Sequence, residues 1–132
     1  MPESPSRRFE RRPGGADFSV FVDGNGNGVR SADIEVGVDP RVAGPFPLEG
    51  KAPGVSVGIN PGTVAPPPER GILETADPIR FGRSDMLSFS PLGTSTPGTF
   101  FLAGDALQGA VRVTTGARVR LLICRGGRWE ER

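Results

Sequence analysis

The chain has 132 residues, a length typical of one domain, and its 20 glycines and 14 prolines predict many turns and long loops. With Lys+Arg 16 against Asp+Glu 15, the net charge of +1 neither demands nor excludes a polyanionic partner. The absence of histidine and the single cysteine exclude an intrachain disulfide, a cysteine-based metal site and the usual histidine base of nucleophilic catalysis. No apolar stretch approaches the ~20 residues of a membrane-spanning helix.

The N-terminal half predicts a β-hairpin that follows a flexible tail at residues 1–6. The first arm is Arg7 to Arg12, and the second is Phe18 to Asp23, in which apolar residues recur at every second position. The turn between the arms contains Pro13-Gly14-Gly15. A further strand is predicted from Val55 to Ile59, again because apolar and small residues alternate.

The C-terminal half, from Leu87 to Leu122, predicts a β-meander. Four short apolar segments, LSFS, TFFLA, AVRV and RVRLL, are separated by spacers rich in Pro, Gly, Ser and Thr. Asn60 to Arg70, with three consecutive prolines, predicts an exposed loop. Alternation in the two halves predicts the following inward-facing residues: Phe18, Val20, Val22, Leu87, Phe89, Val111, Val113, Val119 and Leu121.

Together these patterns predict an all-β fold. We expect a two-sheet antiparallel β-sandwich of roughly seven to nine short strands, with long Pro/Gly-rich loops and little helix. Residues 7–132 are predicted to form this one domain. No segment shows the sustained three-to-four spacing of apolar residues that an amphipathic helix requires.

The order of the motifs resembles that of GspH/FimT-type pseudopilins. The similar stretches are F-S-P-L-G at 89–93, P-G-T-F-F-L at 97–102, A-V-R-V-T-T-G-A-R-V-R-L at 110–121 and F-V-D-G-N-G-N-G-V-R at 21–30. The resemblance covers Phe18 to Arg120, which is most of the chain. One departure is that Ala117 separates Gly116 from Arg118, which interrupts the late G-R-x-R pattern of the family.

This resemblance implies a structural protein and not an enzyme. It implies the head domain of a minor pseudopilin in a type II secretion or type IV pilus-like filament, where it contacts other pseudopilins or secreted cargo near the filament tip. The family's apolar N-terminal helix is absent from this sequence, so we expect a soluble head. We also expect a longer natural polypeptide, held by that helix at the periplasmic face of the bacterial inner membrane.

The loop D-G-N-G-N-G at residues 23–28 resembles the first half of an EF-hand calcium loop. Asp23, Asn25 and Asn27 supply oxygen at loop positions one, three and five. The twelfth position should be a bidentate Glu but is Ile34, so we expect a structural Asx/Gly turn, no cofactor and no tight calcium binding. A calcium-dependent surface or adhesion domain is the alternative. Other carboxylates next to predicted turns, such as Asp39, are expected to be solvated.

A group of arginines offers a second alternative, a DNA-binding head for DNA uptake. Arg118 and Arg120 alternate with apolar residues, so they are predicted to leave the sheet on one face, where Arg112 of the preceding strand could join them. Arginine pairs well with phosphate because its planar fork presents parallel donors. By resemblance, this role carries over only to Arg118 and Arg120. The competing interpretation is a charged face that keeps the sheet soluble.

Overall fold

The computed structural model describes residues 5–13, 15–50, 53–90 and 92–132. Within them it contains two antiparallel sheets and one short helix, α1 (Ser31–Glu35), which confirms the prediction of an all-β sandwich-like fold with little helix. The strands are β1 (Ser6–Arg12), β2 (Gly15–Phe21), β3 (Arg41–Pro47), β4 (Ser56–Val57), β5 (Ile79–Arg80), β6 (Met86–Ser88), β7 (Gly98–Ala103), β8 (Gln108–Val113), β9 (Val119–Arg125) and β10 (Arg128–Glu131).

The first sheet has the strand order β3-β2-β1-β6 and contains the predicted hairpin. Phe9 of β1 is opposite Phe18 of β2, and the pairing extends without a shift from Ser6 to Arg12. Strand β1 starts at Ser6, which was assigned to the tail, while residues 1–4 and Gly14 of the predicted turn lie outside the described residues. Strand β2 starts three residues before the predicted arm because Gly15 closes directly against Arg12.

The second sheet has the order β10-β9-β8-β7-β4, and β5 also pairs with β7. Strands β7, β8 and β9 form the predicted meander with continuous registers, so Ala110 of β8 lies between Phe101 of β7 and Leu122 of β9. Strand β10 then folds back on β9 and places Trp129 opposite Cys124. The lone thiol of Cys124 is buried.

Two apolar clusters hold the fold together. The first lies between the sheets and combines these buried residues: Phe9, Ala16, Ile79, Phe81, Leu87 and Val113. The second lies on the opposite face of the second sheet, where Ile59 and Leu73 of the long loop pack against Phe101, Ala110 and Leu122. Trp129 joins the second cluster, and its indole N–H donates to the carbonyl oxygen of Val64 at 2.8 Å.

The proline-rich segment is therefore more buried than the sequence predicted. Pro66 is fully buried, and an isolated bridge between Val64 and Ile72 closes the segment into a flap over the second sheet. Pro67 and Pro68 are exposed as predicted. The flap packs on the sheet through a few apolar residues, Ala65 and Leu73 among them, while residues 67–72 are exposed.

The predicted inward set is partly right and partly wrong. In β2, Phe18 packs against the cluster between the sheets as predicted, and Val20 shares its face, although both, like Val22, are only half-buried. Ser19 and Phe21 are buried on the opposite face, because both faces of this strand contact protein. In β9, Val119 is 61% and Leu121 is 43% exposed, while Leu122 and Cys124 point inward. The flap covers the face of β9 that carries Leu122, which inverts the predicted faces. Leu87 and Val113 are buried as predicted, and Phe89 and Val111 are half-buried.

Candidate functional site

The Asp23–Gly28 loop is organised around one carboxylate. The side chain of Asp23 accepts the backbone N–H groups of Asn25 at 3.1 Å, Gly26 at 3.0 Å and Gly28 at 2.8 Å. These hydrogen bonds, above all that from Gly28, hold the pKa of the Asp23 carboxyl below its ordinary value. Gly26 and Gly28 adopt φ of +84° and +85°, a region that favours glycine. The loop is thus an Asx/Gly turn that satisfies its own donors.

A second carboxylate, that of Asp39, joins the two ends of the loop. Asp39 is 1% exposed, and its two oxygens accept the backbone N–H groups of Gly24 at 2.8 Å and Arg30 at 2.9 Å. A Cβ atom at Gly24 would lie 1.7 Å from the carbonyl oxygen of Val38, so only glycine fits there. The prediction that Asp39 is solvated is wrong, because the carboxylate joins both ends of the loop.

Two of the three side chains considered as calcium ligands, Asn25 and Asn27, converge on Asp33. The amide nitrogens of Asn25 and Asn27 donate to the same oxygen of Asp33, at 3.4 and 3.1 Å. Asp23 is engaged by backbone N–H groups, and the guanidinium Nε of Arg30 donates to the carbonyl oxygen of Asn27 at 3.2 Å. These contacts describe a loop closed by its own hydrogen bonds. The described ranges contain no group of three or more His, Cys, Asp or Glu side chains that could hold a metal ion.

We expect no calcium binding in the micromolar range at this loop. A hard cation is bound by six to eight oxygens, and two of the candidate side chains here are neutral amides that already donate to Asp33. Isothermal titration of the protein with CaCl₂ should give no saturable heat. Micromolar affinity that is lost in Asp23→Ala but kept in Asp105→Ala, a carboxylate outside the loop, would overturn this expectation and favour the calcium-dependent domain.

The three arginines are gathered at the β8–β9 pair. Arg112 of β8 lies directly opposite Arg120 of β9, so their side chains share a face. Arg118 precedes β9 and is close enough to Glu131 to contribute to the lowered pKa of that carboxyl. The common face agrees with the predicted placement. It is, however, the face that carries Leu122 and the flap, and not the opposite face of Val119.

Two of these arginines already have partners. Arg120 binds Glu131 with both arms of its guanidinium, at 2.9 and 2.6 Å. The hydrogen bond between them raises the pKa of Arg120 and lowers that of Glu131. Arg112 donates to the carbonyl oxygen of Pro67 at 2.6 Å, which ties the flap to the sheet. A phosphate would therefore compete with Glu131 for Arg120.

An apolar strip lies on the other face of the second sheet. It consists of Leu102, Leu107, Val119, Leu121 and Ile123, of which Leu107, Val119 and Leu121 are exposed. All of these except Val119 also line an open cavity of about 460 Å³. Leu102 and Ile123 flank Gly109 in register, so the missing side chain of Gly109 leaves a groove between two apolar walls.

The strip is uncovered because the two sheets overlap only in part. Among the described residues of β8, β9 and β10, Val113 alone belongs to the cluster between the sheets. Val119, Leu121 and Ile123, on the same face of β9, do not belong to that cluster. The strip is not among the sites predicted from the sequence, although the consecutive apolar residues Leu121, Leu122 and Ile123 are a signal for it. Such a run must place apolar side chains on both faces of a strand.

Comparison with protein-family models, with curated proteins and with solved structures gives no significant match to this chain. The structure defines an all-β domain of two antiparallel sheets in which one face of the larger sheet is left partly uncovered. In the described part of the chain, no helix is long and apolar enough to cross a membrane.

Proposed function

We propose that this chain is a structural head domain that binds a neighbouring subunit through the apolar strip. The partner we propose is another pseudopilin of the same type II secretion or type IV pilus-like filament, at the periplasmic face of the inner membrane. The resemblance of residues 18–120 to GspH/FimT-type pseudopilins and the two-sheet fold support this proposal. The single observation that carries it is the strip itself, which is apolar, contiguous and exposed on a regular sheet face.

The chemistry of the strip favours a protein partner. Full burial of a Val or Leu side chain contributes about 1.5–3 kcal/mol, and Val119 and Leu121 keep a large part of that surface exposed here. Among the residues that line the adjoining cavity, Asp105 is the one that carries a charge. Contiguous exposed apolar surface of this kind marks interaction sites in soluble domains.

We predict that Val119→Asp prevents binding of the partner subunit and leaves the domain folded. An aspartate in the strip would lose its hydration in the contact, which costs several kcal/mol when no cation compensates. The matched control is Val42→Asp. Val42 is also a strand valine, and its exposed fraction of 57% is close to the 61% of Val119, but it lies on β3 in the other sheet. Co-purification with the pilin-like subunits of the same organism measures the effect. Equal binding by both variants would contradict the proposal.

A second candidate function is DNA binding through the arginine group. It is favoured by one observation, the direct opposition of Arg112 and Arg120 with Arg118 close to the same carboxylate. Guanidiniums gathered on one sheet face provide phosphate contacts without base readout. We therefore propose weak binding that depends strongly on salt and little on sequence.

If DNA binds there, Glu131→Gln should strengthen binding at low salt. Loss of the carboxylate releases Arg120, which adds about one phosphate contact and steepens the salt dependence by about 0.9 in log–log slope. Glu130→Gln is a matched control, because it changes net charge equally at the adjacent position, whose side chain points to the other face of β10. Fluorescence anisotropy with a duplex oligonucleotide is the measurement. Identical gains in both variants, or binding that survives loss of both Arg118 and Arg120, would remove this site.

A further inference from the structure

A separate cavity of about 470 Å³ lies where the Asp23 loop meets the turn after β5. Its lining includes two arginines, Arg30 and Arg83, and two serines, Ser31 and Ser84. No acidic residue is part of the lining. The cavity is on the side of the molecule that carries the Asp23 loop, and none of its lining residues belongs to the apolar strip.

The base of this cavity is apolar. Phe81 is 1% exposed and Met86 is 8% exposed, and both line it. A charged group held against such a base is less screened than one on an open surface, so its attraction to a guanidinium is stronger. The arginines are at the mouth, where both are exposed. The cavity thus combines arginines at the mouth with an apolar floor.

Hydrogen-bond donors at the mouth are still available. In the part of the chain that the structure describes, Arg83 forms no side-chain hydrogen bond or ion pair, and Arg30 uses only Nε, toward Asn27. The backbone N–H groups of residues 82–84 also have no hydrogen-bond acceptor within the described ranges. Guanidinium, hydroxyl and backbone N–H donors together are the groups that bind carboxylate and phosphate oxygens.

The charged side chains of the lining are both arginines. Arg8 of β1 is the register partner of Met86, so its side chain leaves the first sheet on the face that carries Met86. Asp85, next to the lining in sequence, pairs with Arg11 at 3.5 Å, and Asp33 accepts the neutral amides of Asn25 and Asn27. The buried carboxylate of Asp39 is occupied by two backbone N–H groups, one of which belongs to Arg30.

We propose that this cavity binds an oxyanion, with Arg30 and Arg83 as the two cationic contacts and Ser31 and Ser84 as hydroxyl donors. The ligand chemistry is that of a phosphate or a carboxylate group. The inference is independent of the proposed filament role, since it uses none of the residues of the apolar strip. The buried carboxylate of Asp39 supports such a site, because it accepts the backbone N–H of Arg30 and so fixes the backbone at one of the two cationic contacts.

The test is an NMR titration of the ¹⁵N-labelled protein with sodium phosphate and, separately, with sodium acetate, at ionic strength held constant with NaCl. We expect saturable shifts of the amide signals of Ser31, Arg83 and Ser84 with at least one of the two anions. The anion that saturates identifies the source of the oxyanion. Because a charge-assisted hydrogen bond contributes about 1.5–3 kcal/mol, Arg83→Gln or Arg30→Gln should weaken the affinity by about tenfold or more.

The matched control is Arg128→Gln, which removes an exposed arginine on β10, outside the cavity lining. Its affinity should equal that of the unmodified protein. Shifts that do not saturate with either anion would overturn the proposal. So would an affinity that Arg128→Gln lowers as much as Arg83→Gln, because the effect would then be one of net charge alone.

Discussion

Phe81→Ala should lower the free energy of unfolding by about 3–5 kcal/mol. The ring is 1% exposed, lies 5.0 Å from the ring of Phe9, and belongs to the cluster that joins the two sheets. It also fills the space beside Gly98, where an added Cβ would approach the ring to 2.4 Å. Removal of the ring leaves a cavity that such closely packed backbone is poorly able to close. Urea unfolding followed by far-ultraviolet circular dichroism measures the change.

Phe46→Ala is the control for this experiment. Phe46 is 45% exposed and contacts the ring of Phe18 at 5.5 Å between centroids, so its truncation should lower the free energy of unfolding by about 1 kcal/mol. A Phe81→Ala variant no less stable than Phe46→Ala would show that the cluster between the sheets does not hold the fold together.

Asp39→Ala should lower the free energy of unfolding by about 2–4 kcal/mol. The buried carboxylate accepts two backbone hydrogen bonds, and its loss leaves the N–H groups of Gly24 and Arg30 without these acceptors. Asp39→Asn keeps one oxygen and should lose about half as much. Hydrogen exchange should become faster at those two amides in particular, which separates loosening of the loop from general destabilisation.

Asp33→Ala serves as the comparison for Asp39→Ala. The Asp33 carboxylate accepts only the exposed side-chain amides of Asn25 and Asn27, which water can replace. We expect a change of roughly 0.5 kcal/mol or less. Equal decreases in the free energy of unfolding for Asp33→Ala and Asp39→Ala would mean that the buried carboxylate of Asp39 does not anchor the loop.

The elements that depend on local pattern could be predicted from the sequence. The β1–β2 hairpin follows from the alternating arm at Phe18 to Asp23 and the Pro-Gly-Gly turn before it, and the meander follows from short apolar runs separated by turn residues. The Asx/Gly turn at Asp23 also follows locally, because its acceptor and its donors lie within a few residues of one another.

The face of β9 could not be predicted in the same way. Residues 121–124 are all apolar, so alternation does not decide which two of them point inward. The face of β9 that is buried depends on the flap, a proline-rich segment far away in the sequence that covers Leu122. The exposed strip is a consequence of that choice, which is why its position is visible only in the folded chain.

The contacts of the charged residues were also beyond local pattern. Glu131 is eleven residues from Arg120 and Asp39 is fifteen from Gly24. Their pairing depends on β10 folding back on β9 and on the chain returning after α1. The sequence therefore indicates the arginines and aspartates of a candidate site. It does not indicate which of them are already hydrogen-bonded to other groups of the protein.

The most direct test of the proposed filament role is a site-specific crosslink. A photoreactive phenylalanine derivative replaces Leu121 in the strip or, as the control, Val42 on β3. The protein is then irradiated in cells that also make the pilin-like subunits of the same organism. Our account predicts a crosslinked product from position 121 alone, in which mass spectrometry identifies a pilin-like subunit. No product at position 121, or the same products from positions 121 and 42, would contradict it.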